Sequence, residues 1–287
     1  ASISPVQVMG VVKADAYGHS AVPVARALLA EGAESLGVAT LDEAVDLRMS
    51  DIVAPILILG TTVPWRAEEV VRHDLIQTVY DDALLKALAA EAEKAGRPAR
   101  VHVKIETGMT RLGLPWMQAA PFIRMADRMP GIRLEGIFSH LATADDRENP
   151  FAELQFDRFR QVLSELETQL RSRPIRHICN SAAAIHFPEM HLDMIRPGIS
   201  LYGYLASGTV DPKVVSLKPA LSFKTRVEQL HRVEPGASIS YGQHFVTTRE
   251  SSIATLSVGY GDGYSRLLSG KAHVLIDRKS TRLNSSH

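Results

Sequence analysis

The sequence has little cysteine, no net charge and no long apolar run. Its 287 residues contain a single cysteine, Cys179, which excludes an internal disulfide framework and suits a reducing compartment. Lysine plus arginine and aspartate plus glutamate number 32 each, so the formal net charge is zero and nothing global points to nucleic acid or an anionic membrane. The apolar stretches are too short for a membrane-spanning helix. These properties predict a cytoplasmic protein without nucleic-acid or membrane partners.

Apolar and amphipathic segments alternate along most of the chain. Near-continuous apolar runs are typical of parallel strands, which are buried on both faces, and amphipathic runs such as 81–96 and 151–170 are typical of helices. The eight predicted strands cover residues 8–14, 35–40, 55–60, 75–80, 101–107, 134–140, 175–181 and 192–198. Eight strands separated by helices predict an α/β fold, a closed (β/α)8 TIM-type barrel, rather than an open doubly wound sheet.

The pattern changes after about residue 216. Apolar and polar positions then alternate, and turn signals such as "EPGAS" and "GDG" punctuate the segment, which is typical of a β domain. We predict a barrel over 1–205, a linker near 205–216 around "ASGTVDPK", and a partial β domain over 216–277. The polar, aperiodic end "RKSTRLNSSH" (278–287) is expected to be a non-native tail outside the fold.

Polar residues gather at the predicted strand ends, which meet at one rim of a barrel. Lys13 lies at the end of the first predicted strand; taken alone it is more often a surface lysine that ends a strand. At a rim, burial and nearby cations lower the pKa of an amine and make it a candidate for Schiff-base formation with a carbonyl group. The other polar or turn residues at these ends are Tyr17, Lys104, Arg111, Ser139, His140, His177, Asn180, Ser181, Arg196, Gly198 and Ile199.

A phosphate site is predicted after the eighth strand. The segment "RPGI" (196–199) offers backbone N–H groups where barrels commonly bind phosphate, and Ser181 adds a hydroxyl from the neighbouring strand. A lysine and a phosphate cradle together suggest pyridoxal phosphate. The segment "HFPEMH" (186–191) lacks the spacing of a helical zinc pair, and no metal is expected.

Seven segments, in chain order, resemble those of bacterial alanine racemase. They are "VVKADAYGHS", "KIETGMTRLG", "FSHLATAD", "HICNSAAA", "MIRPGISLYG", "ISYGQHF" and "VGYGDGYSR". The resemblance implies a fold-type III pyridoxal-phosphate enzyme with a barrel and a β domain. It further implies a head-to-tail homodimer that interconverts L- and D-alanine and supplies D-alanine for peptidoglycan.

The resemblance also implies two catalytic bases. Lys13 would carry the cofactor and act as the base on the D-substrate side, and Tyr241 of the partner subunit would be the opposing base. A phenol needs help to act as a base, and His140 and Arg196 are predicted to give it through hydrogen bonding and positive charge. Taken alone, Tyr241 would be an ordinary strand aromatic.

Further roles follow from the resemblance. Arg196 would face the ring nitrogen of the cofactor; because arginine keeps its proton, the cofactor would be a weaker electron sink and transamination would be limited. Arg111 would bind the substrate carboxylate, Lys104, which is carbamylated in many family members, would position Arg111, and Tyr260 would line the entrance. The predicted cofactor-binding residues are Lys13, Tyr17, His177, Asn180, Ser181, Arg196, Gly198 and Ile199.

The sequence departs from the family pattern at both ends. A helix-containing segment before the lysine strand and a Met-Asp motif after Asp277 find no match, so we expect weak folding or weak cofactor binding. Three alternatives stay open: a serine or broad-specificity racemase, a non-catalytic pyridoxal-phosphate carrier, and a fold-type III decarboxylase. A metal-dependent barrel hydrolase fits least. A screen of amino-acid substrates separates the first alternative, and Tyr241 argues against a carrier, which needs no second base.

Overall fold

The computed structural model describes residues 6–206 and 214–276, together with the backbone of 279–282. The chain divides into two compact units, Ala1–Leu221 and Ser222–His287, each of which is considered on its own. The predicted linker at 205–216 lies partly in residues 207–213, outside the described ranges. The division between the units falls at Leu221 and Ser222, a few residues beyond that linker.

The first unit contains a closed barrel of eight parallel strands. In chain order its strands are β1 (Gln7–Val11), β2 (Ser35–Val38), β3 (Ile56–Ile58), β4 (Ile76–Val79), β5 (Ala99–Glu106), the short accessory β6 (Leu114–Pro115), β7 (Ile132–Phe138), β8 (Ile175–His177) and β9 (Met194–Ile195). β6 pairs with β5 outside the ring, and β7 takes the next place in the ring. β1 pairs with both β2 and β9, which closes the ring. The predicted (β/α)8 barrel is confirmed.

Helices surround this ring and cover the outer faces of the strands. They are α1 (Lys13–Gly18), α2 (Ala21–Ala30), α3 (Leu41–Met49), α4 (Ala67–Arg72), α5 (Asp82–Ala95), α6 (Trp116–Arg128), α7 (Phe151–Leu166) and α8 (Ser181–His186). The limits of α5 show how sequence sets them: Asp81 caps the first turn by accepting a bond from Leu84 N–H at 2.9 Å, and Gly96, with φ 64°, ends the helix. Throughout the described ranges, no helix is long and apolar enough to cross a bilayer.

The inside of the barrel is apolar in one layer and polar in the next. Met9, Leu57, Ile76 and Met194, from four different strands, form an apolar cluster separate from the outer core. Nearer the carboxyl-end rim, the buried side chains include polar and charged ones: His102 and Lys104 on β5, His177 on β8, and Arg196 just after β9. Burying such groups is unfavourable unless they are hydrogen-bonded, so this end of the barrel is where partners and ligands are expected.

The chain leaves β1 through a left-handed turn. β1 was predicted to run to residue 14, but it ends at Val11, and Lys13 begins α1. Residues 14–17 have φ between 50° and 55°, a conformation that L-residues rarely adopt. Glu43 of α3 supports the turn by accepting a bond from Ala14 N–H at 2.7 Å. The left-handed turn therefore places Lys13 just beyond the strand, at the barrel rim.

The second unit is built from antiparallel pairs. Its strands are β10 (Val227–Val233), β11 (Ser238–Ile239), β12 (Phe245–Val246), β13 (Ser251–Leu256), β14 (His273–Ile276) and β15 (Lys279–Arg282). β10 pairs with β13, β11 with β12 and β14 with β15, as expected from the alternating pattern. β15 lies within the segment predicted to be a tail outside the fold, and its backbone pairs with β14.

Candidate active site

A cavity of about 340 Å³ lies at the carboxyl ends of the barrel strands. Ten residues predicted from the strand ends line it: Lys13, Tyr17, Lys104, Arg111, His140, Asn180, Ser181, Arg196, Gly198 and Ile199. Sequence reasoning missed the apolar and backbone part of the lining: Val11, Ala39, Leu59, Gly60, Leu112, Phe138, Ala182 and Ala206. Those residues carry no chemical signature of their own. Val11, Leu112, Phe138 and Ala182 lie within the segments that carry the resemblance, but only their polar neighbours were assigned to the site.

Two amines in this cavity are easier to deprotonate than ordinary lysines. Burial, and then the positive charge of Arg111, lower the pKa of Lys13, although Glu43 partly opposes the shift. Burial, then Arg111 and Arg196, lower the pKa of Lys104 to about 8. Four basic side chains line the cavity: Lys13, Lys104, Arg111 and Arg196. Together they suit an anionic ligand that also reacts with an amine.

The loop after β9 forms a tight corner against Tyr17. A Cβ atom on Gly198 would lie 2.6 Å from Tyr17 Oη, so only glycine leaves the hydroxyl in place. Gly198 N–H donates to Ser181 Oγ at 2.8 Å, and Ser200 N–H donates to the same oxygen at 3.3 Å. Ser181 Oγ accepts both bonds, which leaves its own proton to donate. Hydroxyls from Tyr17 and Ser181 thus flank the 198–200 loop.

Tyr202 supports Tyr17, and the sequence analysis missed it. The two rings lie 5.0 Å apart, and the Tyr202 hydroxyl donates to the carbonyl oxygen of Val11 at 3.0 Å. Tyr202 is almost fully buried. It therefore links the end of β1 to the loop after β9 and holds the Tyr17 ring between them.

Arg196 is buried at the floor of the cavity, and its guanidinium is fully engaged on its inner side. Nη2 donates to the carbonyl oxygens of Ser139 at 2.8 Å and Ile178 at 3.1 Å, and Nη1 donates to His177 Nδ1 at 2.9 Å. Burial lowers the pKa of Arg196 to about 10, so the guanidinium still holds its proton near neutral pH. It is a fixed hydrogen-bond donor in a low-dielectric site.

The two predicted histidines occupy different positions. His140 lines the cavity, and its Nδ1 lies 3.3 Å from Arg196 Nη2. Burial, and then Arg196, lower the pKa of His140 well below its usual value, so of this pair only Arg196 brings positive charge. His177 does not line the cavity: its ring is fully buried, stacked on Phe138 and bonded to Arg196. Its contact is with Arg196, and its predicted role in cofactor binding stays a prediction.

Asn180 lines the cavity and also begins α8. Its Oδ1 accepts a bond from Ala183 N–H at 3.0 Å, which caps the helix that starts at Ser181. The cap fixes where Ser181 enters the cavity wall. Asn180 therefore has a clear local structural role, and its predicted role in cofactor binding stays a prediction.

A buried glutamine holds two of the cavity loops together. Gln155 Nε2 donates to the His140 carbonyl oxygen at 3.0 Å and to Thr107 Oγ1 at 3.2 Å, and its Oε1 accepts a bond from Ala142 N–H at 2.8 Å. Gln155 lies on the buried face of α7 in line with Ala152 and Phe159. A polar residue on an apolar helix face was the available signal, and the sequence analysis did not use it.

Tyr241 and Tyr260 belong to the second unit. Tyr241 begins the short 3-10 turn Tyr241–Gln243 after β11, and 79% of the surface of Tyr241 is exposed. Tyr260 begins the turn Tyr260–Asp262 and is 68% exposed. Because Tyr241 lies in a turn, the interpretation as an ordinary strand aromatic does not hold. The catalytic role of Tyr241 and the gating role of Tyr260 stay predictions.

Comparison with known proteins agrees with this geometry. The alanine racemase N-terminal domain model matches residues 1–206, and the alanine racemase C-terminal domain model matches residues 220–285. Alanine racemase 1 of Oceanobacillus iheyensis is 45% identical over 271 residues, which cover 94% of this chain and 72% of that protein. Alanine racemase 2 of Caldanaerobacter subterraneus subsp. tengcongensis is 46% identical over 275 residues, covering 96% and 71% of the two chains.

A solved structure shows the same architecture. The alanine racemase of Clostridium difficile 630 is 36% identical and superposes with a TM-score of 0.87, covering 98% of this chain and 73% of that one. The two matching domain models together span nearly the whole chain, and the two curated relatives are 45% and 46% identical to it over more than nine-tenths of its length. The chain belongs to the alanine racemase family, whose members are pyridoxal-phosphate-dependent isomerases.

Proposed function

We propose that this protein interconverts L- and D-alanine by moving the α-proton between two bases on opposite faces of the substrate. The observation that carries the proposal is one cavity that combines the Lys13 amine, the Arg196 guanidinium and the corner formed by Tyr17 and Gly198. This donor set fits pyridoxal phosphate. When bound, the cofactor withdraws electrons from the α-carbon and makes its proton removable.

Each part of the cavity suits one part of the cofactor. The hydroxyls of Tyr17 and Ser181 and the backbone of Gly198 and Ile199 would bind the phosphate, and the missing Cβ of Gly198 supports a close approach there. The Lys13 amine, with its lowered pKa, would react with the aldehyde. Arg196 would donate a hydrogen bond to the ring nitrogen and keep its proton, because even its lowered pKa of about 10 lies above neutral pH.

The substrate side of the cavity favours a small amino acid. Arg111 would bind the carboxylate, and Lys104 lies close enough to influence it electrostatically. A volume of about 340 Å³ is near the lower limit of small-molecule sites, and the cofactor takes part of it. This supports alanine over the larger substrates of a broad-specificity racemase. Carbamylation of Lys104 would replace a buried cation with an anion beside Arg111.

The second base is proposed to come from a partner subunit. Lys13 would remove or return the α-proton on one face, and the partner's Tyr241 would do so on the other, with Tyr260 at the entrance. His140 is neutral and bonded to Arg196, so it can accept or relay a hydrogen bond without adding charge. A head-to-tail homodimer in the cytoplasm that supplies D-alanine for peptidoglycan is part of the same proposal.

The first experiment is chemical trapping. The purified chain is mixed with pyridoxal phosphate, its visible absorbance is recorded, and borohydride is added before peptide mapping. We expect the reduced adduct on Lys13, with Lys104 as the internal control in the same cavity. An adduct on Lys104 or on surface lysines would contradict the assignment of Lys13.

The second experiment separates the two bases. In deuterated water, Tyr241→Phe should lose racemisation while Lys13 still exchanges the α-proton of D-alanine. Tyr264→Phe, a change at another tyrosine of the same unit, is the control and should keep both activities. If the Tyr241→Phe variant exchanged the α-protons of both enantiomers at equal rates, the two-base proposal would be wrong.

A further inference from the structure

A row of hydrogen bonds runs from Arg196 into the barrel interior. Arg196 Nη1 lies 2.9 Å from His177 Nδ1, and His177 Nε2 lies 2.9 Å from His102 Nδ1. Both imidazoles are almost completely buried, and neither lines the cavity. The proposed reaction does not use His102, so its presence inside the barrel needs another explanation.

The guanidinium dictates where each proton lies in this row. Arginine has only donors, so His177 Nδ1 must accept and the single proton of a neutral His177 must be on Nε2. That proton is donated to His102 Nδ1, so the proton of His102 must be on its own Nε2. Burial lowers the pKa of His102 to about 3 and that of His177 well below its usual value, and Arg196 adds to both effects. Both rings are therefore neutral, and both are Nε2–H tautomers.

The barrel wall is shaped to admit the His102 ring. The register of β7 against β5 shifts at this point, so that Val101 pairs with Leu134 but His102 pairs with Gly136. A Cβ atom on Gly136 would lie 2.5 Å from the His102 ring. A β-bulge and a glycine together thus provide the space that the imidazole fills.

The inner end of the row is unfavourable for stability. Among the described residues, His102 Nε2 is buried without a hydrogen-bond partner, and so is the hydroxyl of Thr78, its register partner on β4. An unpaired buried N–H destabilises a fold, and an apolar side chain would avoid that loss. A polar residue at such an unfavourable position is expected to serve the site rather than the packing.

We propose that His102 is a positioning residue of the active site, which holds His177 in its Nε2–H tautomer and thereby holds the Arg196 guanidinium in place as a donor. The role of Arg196 toward the cofactor ring rests on the proposed function. Without an acceptor at His102, the proton of His177 can move to Nδ1, where it opposes the N–H of Arg196. The guanidinium then shifts away from the position it needs in the cavity.

The first test measures the tautomers directly. Nuclear magnetic resonance of the protein labelled with ¹⁵N in its histidine rings, recorded at neutral pH, should show a proton on Nε2 and a bare Nδ1 for both His102 and His177. A proton on Nδ1 of either ring, or a doubly protonated ring, would overturn the proposal. This measurement needs no turnover, so it is decided independently of whether the chain racemises alanine.

The second test uses a matched pair of variants. His102→Asn keeps an acceptor oxygen near the place of Nδ1, whereas His102→Leu removes the acceptor at similar volume. We expect His102→Leu to lose the Nε2–H tautomer of His177 and to lower kcat about tenfold with little change in KM, the size of one net hydrogen bond. His102→Asn should keep the tautomer and most of the kcat, and His73→Leu, at a half-buried histidine away from the cavity, should match the unaltered protein.

The outcomes separate the possible failures. Equal losses in His102→Asn and His102→Leu would mean that the ring serves packing alone, and the proposal would be wrong. Unchanged kcat and tautomer in His102→Leu would refute it as well. If the leucine variant does not fold, the asparagine variant and the tautomers of the unaltered protein still decide. An unaltered protein with the expected tautomers but no racemisation would contradict the proposed function and leave this inference standing.

Discussion

Replacing Gly198 with alanine tests the tight corner at the proposed phosphate site. The added Cβ would lie 2.6 Å from Tyr17 Oη, closer than real Cβ contacts, so the Tyr17 side chain must move. The backbone of Gly198 has φ −122°, so the contact and not the backbone conformation decides the effect. We expect Gly198→Ala to weaken cofactor binding because it removes the Tyr17 hydroxyl from the phosphate.

The magnitude follows from the bond that is lost. A hydrogen bond to a charged group contributes about 1.5–3 kcal/mol. At 1.4 kcal/mol per factor of ten, the Kd for pyridoxal phosphate should rise roughly 10- to 100-fold. Titration of the cofactor-free protein, followed by absorbance or by quenching of tryptophan fluorescence, measures this change.

A double-mutant cycle makes the test specific. Tyr17→Phe should raise the Kd for pyridoxal phosphate about as much as Gly198→Ala does, because both changes remove the same hydroxyl contact with the phosphate. In the Tyr17→Phe background, the nearest side-chain atom to the added Cβ is the ring Cζ at 3.3 Å, which a small shift accommodates. Gly198→Ala should then change the Kd by less than about threefold. If Gly198→Ala raised the Kd equally in the unaltered protein and in the Tyr17→Phe variant, the assigned contact between Gly198 and the Tyr17 hydroxyl would be wrong.

Two stability predictions follow from other buried groups. The pKa of Lys104 falls from 10.5 to about 8 on folding, so its buried charge costs up to about 3 kcal/mol below pH 8, and this cost disappears as the pH rises through the unfolded value. Lys104→Met should therefore raise the free energy of unfolding at pH 7 and raise it less at pH 10; no gain at pH 7 would contradict this. Gln155→Leu leaves Ala142 N–H and the His140 carbonyl unpaired and should lower the free energy of unfolding by about 2–4 kcal/mol. Gln161→Leu, on the exposed face of the same helix, should change it by less than about 0.5 kcal/mol, and similar losses for the two variants in urea denaturation would show that the bonds of Gln155 do not matter.

The ring of strands was predictable because buried parallel strands are apolar along their length. The carboxyl ends of the strands were less predictable. The strand predicted over 175–181 ends at His177, and the one predicted over 192–198 ends at Ile195. Ile178 and Cys179 continue the apolar run and are fully buried, yet they lie beyond the ladder. The Cys179 carbonyl oxygen still accepts a bond from Arg196 N–H at 3.0 Å. An apolar sequence indicates burial, whereas a strand also requires a continuing ladder of backbone hydrogen bonds.

The site was predictable at its rim and not behind it. Lys13, Lys104 and Arg196 could be placed together because parallel strands in a barrel present their carboxyl ends at one face. The contact between His102 and His177 depends on the register shift in β7, and a shift of one residue turns a side chain to the opposite face of the sheet. The sequence contains no pattern that reveals such a shift, so the contact between His102 and His177 could not be predicted from it.

The left-handed turn after β1 has a consequence for the order of folding. Each L-residue in a left-handed helical conformation costs about 1–2 kcal/mol, and residues 14–17 are four in succession. The local sequence alone would favour a right-handed turn, and contacts from distant parts of the chain must reverse it. The bond from Ala14 N–H to Glu43 is one such contact, made across 29 residues.

The assembled barrel, and not the local sequence around Lys13, therefore determines the position of Lys13 at the rim. We expect the turn to remain right-handed or irregular in partly folded chains, and to adopt its final hand only once α3 has docked. Reactivity of Lys13 toward an aldehyde would then appear late in refolding, after most of the helical signal has returned. The cofactor lysine would in this way act as a built-in reporter of a completed barrel.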